Sequence, residues 1–438
     1  MKIKIISLLL VGAMLLCTAG CASGEPAVQT QNDSAEAPQT NANAPDKINT
    51  SVDLMQSIAP VREEKQPITP EAAAAASDFA LRLTQAANDP DRNTLISPLS
   101  VLCALAMTAN GAENETLLQM ESTLGMHREQ YNAFFLSYLS ALRDAGTAEL
   151  KLANSIWFSD RSGFVPKDEF LKTNAAYYGA DAYLAPFDDS TLREINGWVD
   201  QNTDGMIPSI LDQIPEEAVM YLVNALAFDA KWQEPYRETD VSPDWFNAAD
   251  GTQQVAFFMH SGEQDYLSDD KATGFLKYYQ GGKYAFAALL PNEGVSVGEY
   301  LDSLDGEKLQ SLLGNPSHEE VIAAMPKFEA KSSLELSGVL KAMGMELPFD
   351  REKADFSSLG TAEDGNIRIS RILHKTFISV EENGTRAAAA TAVEAVAEAA
   401  EEEEPKRVKL DRPFVYMLID CETNLPFFIG TMLNPAEE

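Results

Sequence analysis

The chain has 438 residues, 45% of them hydrophobic and 23% charged, enough apolar material for a large buried core. Length alone would allow two to four domains at about 100–200 residues each, but no linker-like break follows residue 70, so one large domain is expected. A formal net charge of −34 excludes a nucleic-acid binder, whose footprint is basic, and implies solubility with weak repulsion from anionic surfaces.

At the N-terminus, Lys2 and Lys4 precede the apolar run IISLLLVGAMLL and then CTAGC. That is a charged n-region, an apolar h-region too short to span a bilayer stably, and small residues before a cysteine. The arrangement resembles a bacterial lipoprotein signal over residues 1–20. This implies that Cys21 becomes a lipidated N-terminus, holding the protein by a membrane lipid at the cell surface or in the periplasm; secretion after a nearby cut is the alternative. Thr18 stands where such signals most often carry Leu. Residues 21–68, rich in Ala, Pro, Asn, Gln, Thr and Ser, read as a disordered tether. The two remaining thiols, Cys103 and Cys421, sit in apolar stretches and read as core residues. The cysteines form neither a disulfide framework nor a zinc spacing.

Thr69-Pro70 then supplies a helix N-cap with proline at the first helical position, opening EAAAAASDFALRLTQAA. Helical periodicity is plain in PLSVLCALAMTAN, ETLLQMESTL and EINGWVDQNT. Strand-like runs occur at KLANSIWF, AVMYLVNALAFDAKW, VAFFM, KYAFAALLP, EEVIAAMPKFEA and ILHKTFISV. FVYMLID and FFIGTML close the chain around the turn-like CETNLP. Helices gathered early and strands gathered late argue for an α+β domain with more than one sheet. No internal repeat is visible.

Residues 381–407, EENGTRAAAATAVEAVAEAAEEEEPKR, separate two of these strands. Connections in compact domains usually span about four to six residues, and flexible linkers are rich in Gly and Ser; this segment is neither. Read as a strand, one parity carries Thr385, Ala387, Ala389, Thr391, Val393, Ala395 and Ala397, with no charge. The other carries Arg386, Ala388, Ala390, Ala392, Glu394, Val396 and Glu398, with every charge. Such a peptide can enter a sheet with its small uncharged face inward. An Ala/Glu helix is the other reading, since Glu394 and Glu398 also share a helical face, and periodicity leaves both open.

Six strings occur in the order and spacing of the serpin family: NTLISPLS from 93, INGWVDQNTDGMIPSIL from 195, LVNALAFDAKW from 222, MPKFEAKSSLELSGVLKAMGMELPFD from 325, HKTFISVEENGTRAAAAT from 374 and DRPFVYMLIDCETNLPFFIGTMLNP from 411. The chain resembles serpins from about residue 70 to 436. The resemblance implies an α+β serpin fold over residues 69–438, with a large, mainly antiparallel central sheet, further sheets and surrounding helices. It also implies an exposed reactive-centre loop over about residues 382–408. A target serine protease would cut that loop, form an acyl-enzyme through its own nucleophile, and be trapped in a covalent 1:1 complex as the loop inserts into the central sheet. The chain would then be a monomeric inhibitor and not an enzyme, needing no cofactor or metal.

Carried over residue by residue, the hinge comprises Glu382, Gly384, Thr385, Arg386, Ala387, Ala388, Ala389, Ala390 and Thr391. Gly384 lets the backbone swing without a Cβ penalty. Arg386 replaces the family's usual Glu, on the solvent parity, so the change bears on the speed of inhibition. Counting from the hinge puts the scissile bond between Glu398 and Ala399; counting back from Pro413 moves it several residues later. Bonds after Val396, Ala397 and Ala399 (the last leading to Ala400) are alternatives. Small bait residues suit elastase-like or subtilisin-like proteases, Glu398 suits a glutamyl endopeptidase, and a cysteine protease target stays open. Glu401, Glu402, Glu403 and Glu404 read mainly as a solvated run. Ser97, Ser100, Asn224 and His374 match the polar gate beneath the sheet where strands part, and Trp232 the tryptophan near the point of loop entry. None of His127, His260, His318 and His374 sits in a nucleophile-elbow or metal spacing. A serpin-fold binding or chaperone-like protein, whose loop is cut without trapping, is the alternative function.

Overall fold

The computed structural model describes residues 50–56, 58, 63–145, 150–216, 218–363, 366–385 and 404–436, which belong to one unit beginning at Asn49. Its helices follow local signals. Thr69 caps Pro70–Ala87, its hydroxyl accepting from the Ala72 amide at 3.2 Å with Pro70 in the first position. The helix Pro98–Ala109 is buried along its whole length, which is why its apolar residues do not keep to one stripe.

Among the described residues the central sheet has eight strands: Val52–Asp53 (β1), Leu150–Ser159 (β2), Asp181–Ala185 (β3), Met220–Phe228 (β4), Ala230–Lys231 (β5), Phe328–Glu335 (β6), Arg371–Glu381 (β7) and Gly384–Thr385 (β8). Their order is β1-β3-β2-β4-β7-β8-β5, with β6 on the other edge of β7. Most pairs are antiparallel; β2 with β3 and β4 with β7 are parallel. Among the described residues a second sheet of nine strands holds Gln253–Ser268, Tyr284–Pro291, Ser317–Pro326, Lys406–Lys409, Phe414–Asp420 and Leu425–Met432 with three others. Tyr284–Pro291, Phe414–Asp420 and Leu425–Met432 are buried at every residue, and both faces being covered accounts for their nearly unbroken apolar runs.

The tether expected over residues 21–68 does not reach its boundary. Residues 21–49 lie outside the described residues, but β1 pairs antiparallel with β3, the Leu54 amide donates to the Ala182 carbonyl at 2.9 Å, and the Thr50 amide donates to Glu194 at 2.6 Å. The folded unit therefore starts before Thr69. Polar composition conceals this, because a two-residue edge strand is held by main-chain bonds and needs no apolar face. EEVIAAMPKFEA also divides: Ser317–Pro326 belongs to the second sheet and β6 to the central one, with Lys327 between them. VAFFM is part of the sixteen-residue strand Gln253–Ser268, whose later, largely polar positions carry no apolar alternation.

Candidate functional site

The facing edges of β4 and β7 are paired only at one end, where Arg371 and Ile372 lie in register with Tyr221 and Leu222. Beyond that point, residues 223–228 of β4 and 373–379 of β7 have no ladder partner on those edges among the described residues, although their opposite edges are paired with β2 and β6. At the far end β8 lies antiparallel to β7 on one side and to β5 on the other. The result is a slot where the two strands are not laddered to each other, occupied at its far end by the two residues of β8.

The helix Asp189–Asn202 and the segment after it cover this part of the sheet. Asp188 caps the helix by accepting from the Ser190 amide at 2.8 Å and the Thr191 amide at 3.3 Å. Thr191, Ile195 and Val199 form its buried stripe. Ile195, Val199, Ile210 and Leu211 share one apolar cluster with Tyr221, Val223 and Ala225 of β4, and Leu373 of β7 packs against it.

On the buried side of the slot, the His374 Nε2 accepts from the Ser97 amide at 2.9 Å, and the Ser100 hydroxyl donates to the Ser97 carbonyl at 3.0 Å. Burial pushes the His374 pKa down to about 4, so the ring is a neutral acceptor. Asn224 stands opposite Asn154 in the β2–β4 ladder and donates to the Asn154 side chain. It is not bonded to the Ser97–His374 pair. Three of the four expected gate residues thus form one hydrogen-bonded group, and the fourth belongs to the neighbouring strand pair.

Trp232 lies at the hinge. Its indole N–H donates to the Glu381 carbonyl at 2.8 Å and its amide to the Asn383 carbonyl at 3.0 Å, while the Tyr236 amide donates to the Glu382 carbonyl at 2.9 Å. Lys327 Nζ bonds the Glu382 carboxylate at 2.7 Å. Partial burial is the largest single influence on Glu382 and opposes its charge, but the Lys327 hydrogen bond, a backbone hydrogen bond and the Lys327 charge together hold the carboxyl below its ordinary range. Thr385 is fully buried, its hydroxyl 2.6 Å from that of Tyr279, and Tyr279 stacks on Trp232 at 4.4 Å between centroids. Gly384 has φ +150°, and a Cβ there would fall 2.1 Å from the Ala230 carbonyl oxygen. The sequence signalled Glu382, Gly384, Thr385 and Trp232 but missed Tyr236, Tyr279 and Lys327. Only Lys327, inside the quoted MPKF string, carried any signal. Arg386, Ala387, Ala388, Ala389, Ala390, Thr391, Val396, Ala397, Glu398, Ala399 and Ala400 lie outside the described residues, as does Cys21.

The family profile described as serpin, serine protease inhibitor, matches residues 74–435. The chain belongs to the serpin family. It is 32% identical over 371 residues to an uncharacterized serpin-like protein of Thermococcus kodakarensis, covering 83% of this chain and 85% of that one. It is 30% identical over 378 residues to the leukocyte elastase inhibitor A of Mus musculus, covering 82% and 97%. Among solved structures it is similar to the thermophilic serpin tengpin in its native state, with a TM-score of 0.83 and 43% identity over 88% of this chain and all of that one. Against tengpin in its latent state the TM-score is 0.75, at 41% identity, 85% coverage of this chain and 100% of the other. The serpin fold supplies the two large sheets. Serpins act broadly as protease inhibitors. Among the described residues no cluster of three or more His, Cys, Asp or Glu is placed to hold a metal.

Proposed function

We propose that this serpin is a suicide-substrate inhibitor of serine endopeptidases with small S1 pockets, elastase-like or subtilisin-like. The observation that carries this reading is the slot between β4 and β7. Both of its edges present unpaired backbone groups, and β8 already has the antiparallel sense an inserted strand requires. Greater similarity to native than to latent tengpin supports a starting state with the loop outside the sheet. The uncharged parity of residues 385–397 supports rapid entry, since no charge has to be buried. The protease cuts near Glu398–Ala399 and becomes acylated on the carbonyl of the residue preceding the cut bond. The hinge then feeds the loop into the slot faster than water completes hydrolysis.

The test is incubation of the mature protein with an elastase-like protease and, separately, with a glutamyl endopeptidase. A complex that survives boiling in detergent is the expected result, and the mass of the freed C-terminal peptide identifies the cut bond. Clean cleavage by every serine endopeptidase tried defeats the proposal. The N-terminal signal pattern further supports a lipid anchor on Cys21 outside the cytoplasmic membrane. A diacylglycerol mass on the N-terminal peptide, lost in Cys21→Ala, is its check.

A further inference from the structure

A buried ion pair lies directly beneath the hinge. Lys277 is 2% exposed in the strand Ala272–Tyr278, near the buried Phe275 and Leu276 of that strand and Tyr279 just after it. Its Nζ bonds Glu263 Oε1 at 2.8 Å. The same carboxylate oxygen accepts from the Ser261 hydroxyl at 2.6 Å, and that hydroxyl is 3.2 Å from the Tyr236 hydroxyl. The ammonium also sits over two aromatic faces, 4.4 Å from the centroid of Tyr236 and 5.5 Å from that of Trp232. These are the two residues whose N–H groups hold the carbonyls of Glu381, Glu382 and Asn383.

A lysine in an apolar strand is unfavourable to bury, and a buried ion pair seldom adds stability over two well-packed apolar side chains. What such a pair does supply is direction. Two ring faces turned toward one cation are held at a defined tilt, and the Glu263–Ser261–Tyr236 chain fixes the second ring through its hydroxyl. Tilt matters here because the Trp232 indole N–H must point at a single carbonyl. We propose that Lys277, paired with Glu263, is a positioning residue for loop insertion. It keeps Trp232 and Tyr236 oriented so that the turn between β7 and β8 stays closed and β8 remains docked as the first two residues of the incoming strand. The inference rests on the insertion mechanism proposed above. Insertion competes with deacylation of the trapped protease, and a strand with its first ladder pairs already formed has only to propagate. Without them the loop must first find the slot, at an entropic penalty.

The double variant Lys277→Met/Glu263→Met tests this in the full chain, because it removes both charges at similar volume and leaves no lone buried ion. The expected result is a melting temperature equal to or above that of the parent protein. Alongside it, amide hydrogen exchange at Asn383, Gly384 and Thr385 becomes about tenfold faster. With an elastase-like protease, the number of inhibitor molecules consumed per protease trapped rises about threefold. Parental exchange and parental consumption overturn the proposal. So do changes in both that appear only with a lowered melting temperature, since that marks a merely structural pair. If the parent protein traps no protease, the inhibitor reading fails on its own, and the exchange measurement decides the positioning role: acceleration upholds it, parental rates overturn it.

Discussion

Gly384 is needed at the hinge because of what it touches. Its φ of +150° and the Ala230 carbonyl oxygen 2.1 Å from any added Cβ leave no room for a side chain. Gly384→Ala should expel β8 from between β7 and β5, lowering stability by about 1–3 kcal/mol and slowing complex formation; thermal melting and the association rate check both. His374 gives a second prediction. An unfolded histidine titrates near 6.5, whereas the buried ring has a pKa of about 4 and accepts from the Ser97 amide. A depressed histidine pKa means that the neutral ring favours the folded state. Its contribution is complete above about pH 6.5 and is lost as pH falls toward 4, at most about 3 kcal/mol. Denaturant midpoints measured from pH 7 to 4.5 should therefore fall more steeply for the parent protein than for His374→Gln. Equal slopes would show that the imidazole is not the group responsible.

Among the elements, legibility followed what each strand or helix needs from its side chains. Pro70–Ala87 was readable because its cap and first proline are local chemistry. Tyr284–Pro291 and Phe414–Asp420 were readable because strands covered on both faces must be apolar throughout. β1 was not, since an edge of two residues depends on backbone partners. Gln253–Ser268 is legible only in part, because its later half alternates polar with polar. The hinge behaved in the same way. Small residues after Gly384 suit entry into a sheet, but nothing in the sequence shows that Gly384–Thr385 is already inside one. Nor could the sequence foretell that Asn224 bonds across to Asn154 and not to the imidazole, since that depends on β2–β4 register. Tyr279 illustrates the limit: a tyrosine in YYQGGKY carries no mark of the threonine it meets 106 positions later.

At the scale of the whole molecule, the slot makes a statement about free energy. Two long strands expose unpaired edges toward each other while a cover of Ile195, Val199, Ile210 and Leu211 lies across them. Filling that gap adds ladder bonds on both sides of a new strand, each worth about 0.5–1.5 kcal/mol net, and buries a face of Ala, Thr and Val. An intact loop is tethered at both ends, by β8 on one side and by Lys406–Lys409 paired to Ser317–Pro326 on the other, so it can run down the slot only if one tether lets go. Cutting it removes one tether. The C-terminal piece should nevertheless stay bound, because Phe414–Asp420 and Leu425–Met432 are interior strands of the second sheet. Protein nicked in the loop by a protease that it does not trap should therefore elute as one species, separate into two bands only under denaturing conditions, and melt more than about 10 °C above the intact form. A nicked protein that melts at or below the intact temperature would mean that the unpaired edges hold no usable energy, and that the β4–β7 gap is not a place for a further strand.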